Sequence, residues 1–134
     1  MGKKRSGGVG DNFHPVTFQA FGFLVDEWGL TGPRYDPEDE TSTVTYGDDP
    51  VGYLVVLDRL EHRIAVVAIV GRLSAEVAAL VPAAGLGPPQ AVRSSANTVR
   101  GLEQSLESQA AMVRRLHPRL AGPEGVGLLR AANG

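Results

Sequence analysis

Two nearly unbroken apolar runs in the middle of the chain, Val51 to Leu57 and Arg63 to Val70, are separated by only the residues Asp58 to His62. Both are rich in β-branched side chains, and the first adds Tyr53, which suits a pleated, buried surface. A link this short can close an antiparallel pair, whereas a parallel crossover needs about a dozen residues or more. Ahead of them, Thr41-Ser42-Thr43-Val44-Thr45-Tyr46 alternates, with Val44 and Tyr46 on one side and the threonines on the other. Gly47-Asp48-Asp49-Pro50 then has the composition of a turn. These features predict an antiparallel meander of three strands, or four if a flanking segment joins an edge. The near-continuous apolar runs imply that both faces of the sheet are at least partly covered, and only helices remain to cover them.

The helices are readable from their periodicity. Phe18, Phe21, Leu24, Val25 and Trp28 recur at helical spacing after His14-Pro15, and Gly29 supplies a terminator, so a first helix is expected over 15–28. Gly32-Pro33 and Asp36 to Glu40 read as a surface loop. A short helix from Ser74 to Leu80 and a loop from Pro82 to Pro89 follow the strands. Val99, Leu102, Leu106, Ala110, Val113 and Leu116 define a long helix over 96–116 whose end Pro118 limits, and Val126–Ala132 forms a short last helix. Strands grouped between helices make the fold class α+β: an N-terminal helix, the meander, and a long C-terminal helix packed on the sheet.

A chain of 134 residues fits one domain. Residues 1–12, rich in glycine and charge, are expected to form a disordered arm in front of a single α+β domain spanning 13–134. The basic start Lys3-Lys4-Arg5 precedes no apolar run, so it does not read as a signal peptide, and no segment reaches membrane-spanning length. The expected location is the cytoplasm, with no membrane partner. Cysteine is absent, which removes disulfides, zinc thiolate sites and cysteine nucleophiles. A net charge of −2 and aromatics confined to apolar contexts argue against nucleic acid.

Sequence motifs for catalysis are missing. No glycine cluster sits between a strand and a helix with a following Lys-Ser or Lys-Thr, and no G-x-S-x-G occurs. His14, His62 and His117 lie in separate segments without ligand partners at helical spacing, so neither a metal nor another cofactor is implied. His117 reads as an imidazolium suited to a helix C-terminus, and His62 as part of a polar turn. The chain therefore reads as non-catalytic.

The one feature with a mechanism is acidic. Between Arg34 and Arg59 there is no basic residue, while Asp36, Glu38, Asp39, Glu40, Asp48 and Asp49 fall there. Such a strip can steer a basic protein partner onto the domain, bind a hard cation through oxygen ligands although it lacks the spacing and glycine of a calcium loop, or simply remain solvated. Two stretches carry a resemblance: Phe21-Gly22-Phe23-Leu24-Val25-Asp26-Glu27-Trp28-Gly29-Leu30 followed by the acidic loop and Val44-Thr45-Tyr46, and Leu106 through Leu120-Ala121-Gly122. In these the chain is similar to small bacterial proteins of unassigned function grouped with immunity proteins of polymorphic toxin systems. The resemblance implies neutralisation of a cognate toxin, carries no catalytic position, and leaves the Pro82–Pro89 loop outside its pattern.

Two alternatives stand beside it. One is a small-ligand protein or enzyme with a site between sheet and helix, to which Tyr46, Tyr53, Asp58 and His62 are the nearest candidates. The other is a structural subunit that associates with itself through the long C-terminal helix.

Overall fold

The structure, a computed structural model, describes residues 7–47 and 49–134. Among them the chain runs α1 (Val9–Phe21), α2 (Phe23–Asp26), β1 (Arg34–Pro37), β2 (Thr41–Gly47), β3 (Val51–Asp58), β4 (Arg63–Val70), β5 (Leu73–Glu76), α3 (Val77–Ala83), α4 (Val99–Leu120) and α5 (Gly125–Asn133). The strands form one antiparallel sheet in sequence order, so the α+β meander is as expected but has five strands. Both additional strands lie at edges. Arg34–Pro37, expected in a loop, pairs with Ser42–Thr45. An edge tolerates Pro37, whose missing N–H would break an interior ladder, and the charges of Arg34 and Asp36 protect the edge from further pairing. Leu73–Glu76, expected to open a short helix, pairs with Val67–Val70 instead, and that helix starts at Val77 and runs through Pro82 to Ala83.

The helix boundaries shift for tertiary reasons. Helix α1 begins at Val9, so residues 9–12 of the expected arm are helical, and Asn12 is buried with its amide donating to the Gly8 carbonyl. Residues 1–6 lie outside the described residues. Gly22 separates α1 from α2, and Gly29 takes the left-handed conformation, φ 69°, that ends the segment. Helix α4 starts one residue after Thr98, whose hydroxyl accepts from the Gly101 N–H at 2.9 Å. It continues past Pro118 to Leu120. Proline there removes only the bond to the Arg114 carbonyl, at an exposed position, while Leu116 and Leu120 are buried on either side of it.

The core has one side. Val44, Tyr46, Val51, Tyr53, Val55, Leu57, Ile64, Val66 and Ala68 alternate along their strands on one face and are buried there. The helices cover that face through Phe13, Phe21, Leu24, Leu80, Leu102, Leu106, Leu116 and Leu129. Tyr35 pins β1 to α1, its ring stacked on His14 at 4.4 Å. The expectation that helices would cover both faces is not met. The intervening residues Leu54, Val56, Ala65, Val67 and Ile69 are partly exposed, and none belongs to the core or packs against it.

Where β5 is too short to pair with the start of β4, other residues finish that edge. Arg63 bridges to Ser95, the Ile64 N–H bonds the Ser94 carbonyl at 2.7 Å, and the Ala96 N–H bonds the His62 carbonyl at 2.8 Å. Gln109, buried on α4, accepts from the Val66 N–H and donates to the Ile64 and Arg93 carbonyls. A side chain thus substitutes for a missing strand, satisfying backbone groups that would be costly to bury unpaired.

Candidate functional site

The uncovered sheet face is ordered in rows by strand register. Arg34, Thr45, Leu54, Val67 and Glu76 form one row, and Asp36, Thr43, Val56 and Ala65 the next. Gly52 and Ile69 lie beyond the first row, Asp58 and Arg63 beyond the second. The middle is therefore apolar and the margins charged. Arg34 and Asp36 approach to 3.6 Å with side chains 74% and 58% exposed, and Arg63 pairs with Glu76 at 2.8 Å. An apolar centre with a charged rim is the usual anatomy of a protein-binding surface.

The acidic residues do not form one surface. Asp36 lies on β1, and Glu38, Asp39 and Glu40 are exposed in the β1–β2 turn. Asp49 is exposed in the β2–β3 turn, at the other end of β2, and Asp48 lies outside the described residues. The Arg59 guanidinium donates to the Glu38 carbonyl and, at 3.2 Å, to the Asp39 carbonyl, so a cation sits among the three turn acids. Among the described residues, no three His, Asp or Glu side chains stand together as metal ligands.

Nor do the four alternative candidates meet. Tyr46 and Tyr53 are cross-strand neighbours inside the core, while the Asp58 carboxylate accepts from the Leu60 and Glu61 N–H groups, both at 3.0 Å, and shapes the turn in which His62 takes φ 52°. Tyr53 instead meets a residue the sequence did not connect with it. Its hydroxyl lies 2.7 Å from Nδ1 of His117, whose ring stacks on Trp28 at 4.2 Å between centroids. Trp28 in turn meets Phe23 edge-on, and the Arg114 guanidinium lies over Phe23 while holding Glu27 through two 2.9 Å bonds. The signal that could have found this cluster is the spacing of Val113, Leu116 and Leu120, which carries the helical stripe past Pro118 and places His117 inside the fold.

Burial pushes the Tyr53 hydroxyl well above the ordinary tyrosine range, so it stays protonated and needs an acceptor. Nδ1 supplies it, which places the imidazole proton on Nε2 in the neutral ring. Burial also lowers the His117 pKa below its ordinary 6.5, against the imidazolium expected from the helix end. The ring borders a cavity of about 250 Å³ lined also by Trp28, Leu30, Thr31, Asp49 and Val51.

This geometry has a measurable consequence. Because the folded-state pKa lies below that of the unfolded chain, protons bind the unfolded state first. The contribution of His117 to stability is full above 6.5 and is lost as pH falls through the folded-state value. Trp28 is the only tryptophan, so its emission reports the stacked ring directly. Acidification is expected to quench that emission with a midpoint below 6.5, and His117→Gln should abolish the transition. A midpoint above 6.5, or an unaltered transition in the variant, would contradict the arrangement.

Fold and surfaces together define a class: a small α+β protein with a five-stranded antiparallel meander, helices on one face, and an open apolar face opposite. Comparison with protein-family models, with curated proteins and with solved structures finds no match. Among the described residues no helix is long and apolar enough to cross a membrane.

Proposed function

We propose that this chain is a non-catalytic protein-binding module whose binding surface is the open face of its sheet. The observation that carries this reading is the set Leu54, Val56, Ala65, Val67 and Ile69, contiguous apolar residues left outside the core in a fold whose helices all serve the other face. Apolar patches of this kind on a small domain mark interaction sites. The test is retention of a bound protein by the tagged full chain in cells. Val56→Lys and Val67→Lys should each abolish it, while Leu60→Lys, at a position 70% exposed in the β3–β4 turn, should not. Equal retention by all three variants would refute the assignment of the face.

A second reading follows from the resemblance to immunity proteins and is favoured by the exposure of Glu38, Asp39 and Glu40 together with Asp36 at one end of the sheet. In it, these acids steer a basic toxin toward the domain. Converting the four to Asn or Gln is then expected to slow association with the toxin by about tenfold at low salt and much less at high salt. Association rates independent of both charge and salt would exclude it.

A further inference from the structure

We propose that the occupant of the open sheet face is the same face of a second copy of this chain, related by a two-fold axis that lies between the sheets and runs across the strands. The inference rests on the reading of that face as a binding surface and adds the partner and the docking geometry. Three observations carry it: the mixed charge of the rim, the order of the rows, and the size of the face.

The rim selects against a partner of one sign. Arg34 stands beside Asp36 on β1, so that margin offers both charges and is complemented by its own reverse, while the charges on the far side, Arg63 and Glu76, already neutralise each other within each copy. A two-fold axis across the strands, between the row of Leu54 and the row of Val56, lays each strand over its own copy in reverse. Arg34 then faces Asp36 of the second copy, and Asp36 faces its Arg34. Leu54 falls over Val56, and Val67 over Ala65, so larger residues meet smaller ones, as interdigitating sheets require. The other simple arrangement, an axis along β3, sets Arg34 against Glu76 of the second copy but places Asp58 over Asp58 and leaves Asp36 without a cation, and is disfavoured on the last two counts.

Size sets the strength. Five strands about 4.8 Å apart, with roughly six residues each rising about 3.3 Å, present a face of about 24 by 20 Å. Two such faces in contact remove on the order of 1,000 Å² from water, near the lower bound for a specific interface. The expected species is a reversible dimer.

Sedimentation equilibrium of the purified full chain, from about 10 µM to about 1 mM, should show the average mass rising toward twice that of the monomer. Val56→Lys should hold the mass at monomer, with Trp28 emission and circular dichroism unchanged to show that the fold survives. R34D alone and D36R alone should each weaken the dimer several-fold, because like charges then face each other. Mixing the two variants should restore it, since the two acids of one copy meet the two arginines of the other, an effect no repair within a single chain can produce. A monomer throughout the range, a dimer that survives Val56→Lys, or a mixture no tighter than its components would overturn the proposal. A monomeric wild type whose retained protein is still lost with Val56→Lys would exclude the second copy as occupant and leave the binding-face reading standing. If retention too is indifferent to Val56→Lys, both fail.

Discussion

Replacing Gln109 with leucine is expected to destabilise the fold by about 3 kcal/mol or more, although leucine is apolar, nearly the same size and well suited to a helix. The side chain is 2% exposed and serves three backbone groups: the N–H of Val66, and the carbonyls of Ile64 and Arg93. Leucine leaves the two buried β4 groups without their partner, each costing about 1–3 kcal/mol, and removes the part-buried bond to Arg93 as well. Glutamate is no remedy, because it lacks the amide donor and adds a buried charge. The contrast is Gln104, one and a half turns earlier, whose carbonyl takes a single exposed bond from Arg93 and whose loss to alanine should cost less than about 0.5 kcal/mol. Urea denaturation midpoints decide the matter. A Gln109→Leu protein within about 1 kcal/mol of wild type would show that the β4 edge is not completed by this residue.

The second large effect comes from two glycines of one helix that respond in opposite directions. A Cβ on Gly125 would lie 2.1 Å from the Leu120 carbonyl oxygen and 2.9 Å from its carbonyl carbon, both backbone atoms at the end of α4. Gly125→Ala must therefore push α5 away from α4, disturbing Leu128 and Leu129 where they enter the core, at a cost of about 3 kcal/mol. Gly127 is exposed on the same helix, and a Cβ there would have no neighbour within 4 Å, so Gly127→Ala should stabilise by up to about 1 kcal/mol through helix propensity alone. Thermal and urea unfolding of the two variants should bracket the wild type. Destabilisation by both, or by neither, would contradict the close approach at Gly125.

Several elements were legible in the sequence because their causes are local. The strands β2, β3 and β4, the turns between them, the long helix and the terminator Gly29 follow from alternation, helical spacing and residues with special backbone preferences. The edge strands were not legible. Arg34–Pro37 and Leu73–Glu76 have weak strand character and extend only because a neighbouring strand offers a free row of backbone groups. Pro118 reads as a helix stop in the sequence because its cost is local, whereas the burial of Leu116 and Leu120 that offsets it depends on the sheet beneath. Of the candidate site, the acidic residues are visible in the sequence as a strip, but chain direction puts Asp36, Glu38, Asp39 and Glu40 at one end of β2 and Asp49 at the other.

By itself, the sequence determined the antiparallel order of the central strands and which residues share a face of each, since side-chain parity is a property of the extended backbone. Only the tertiary structure decided which of two apolar faces the helices would cover, that Gln109 would stand in for a strand, and that His117 would join Tyr53 and Trp28. Both faces of β3 and β4 are apolar enough to be buried, so parity cannot choose between them. The choice lies in where the connecting segments allow the helices to pack, and it leaves Leu54, Val56, Ala65, Val67 and Ile69 facing outward.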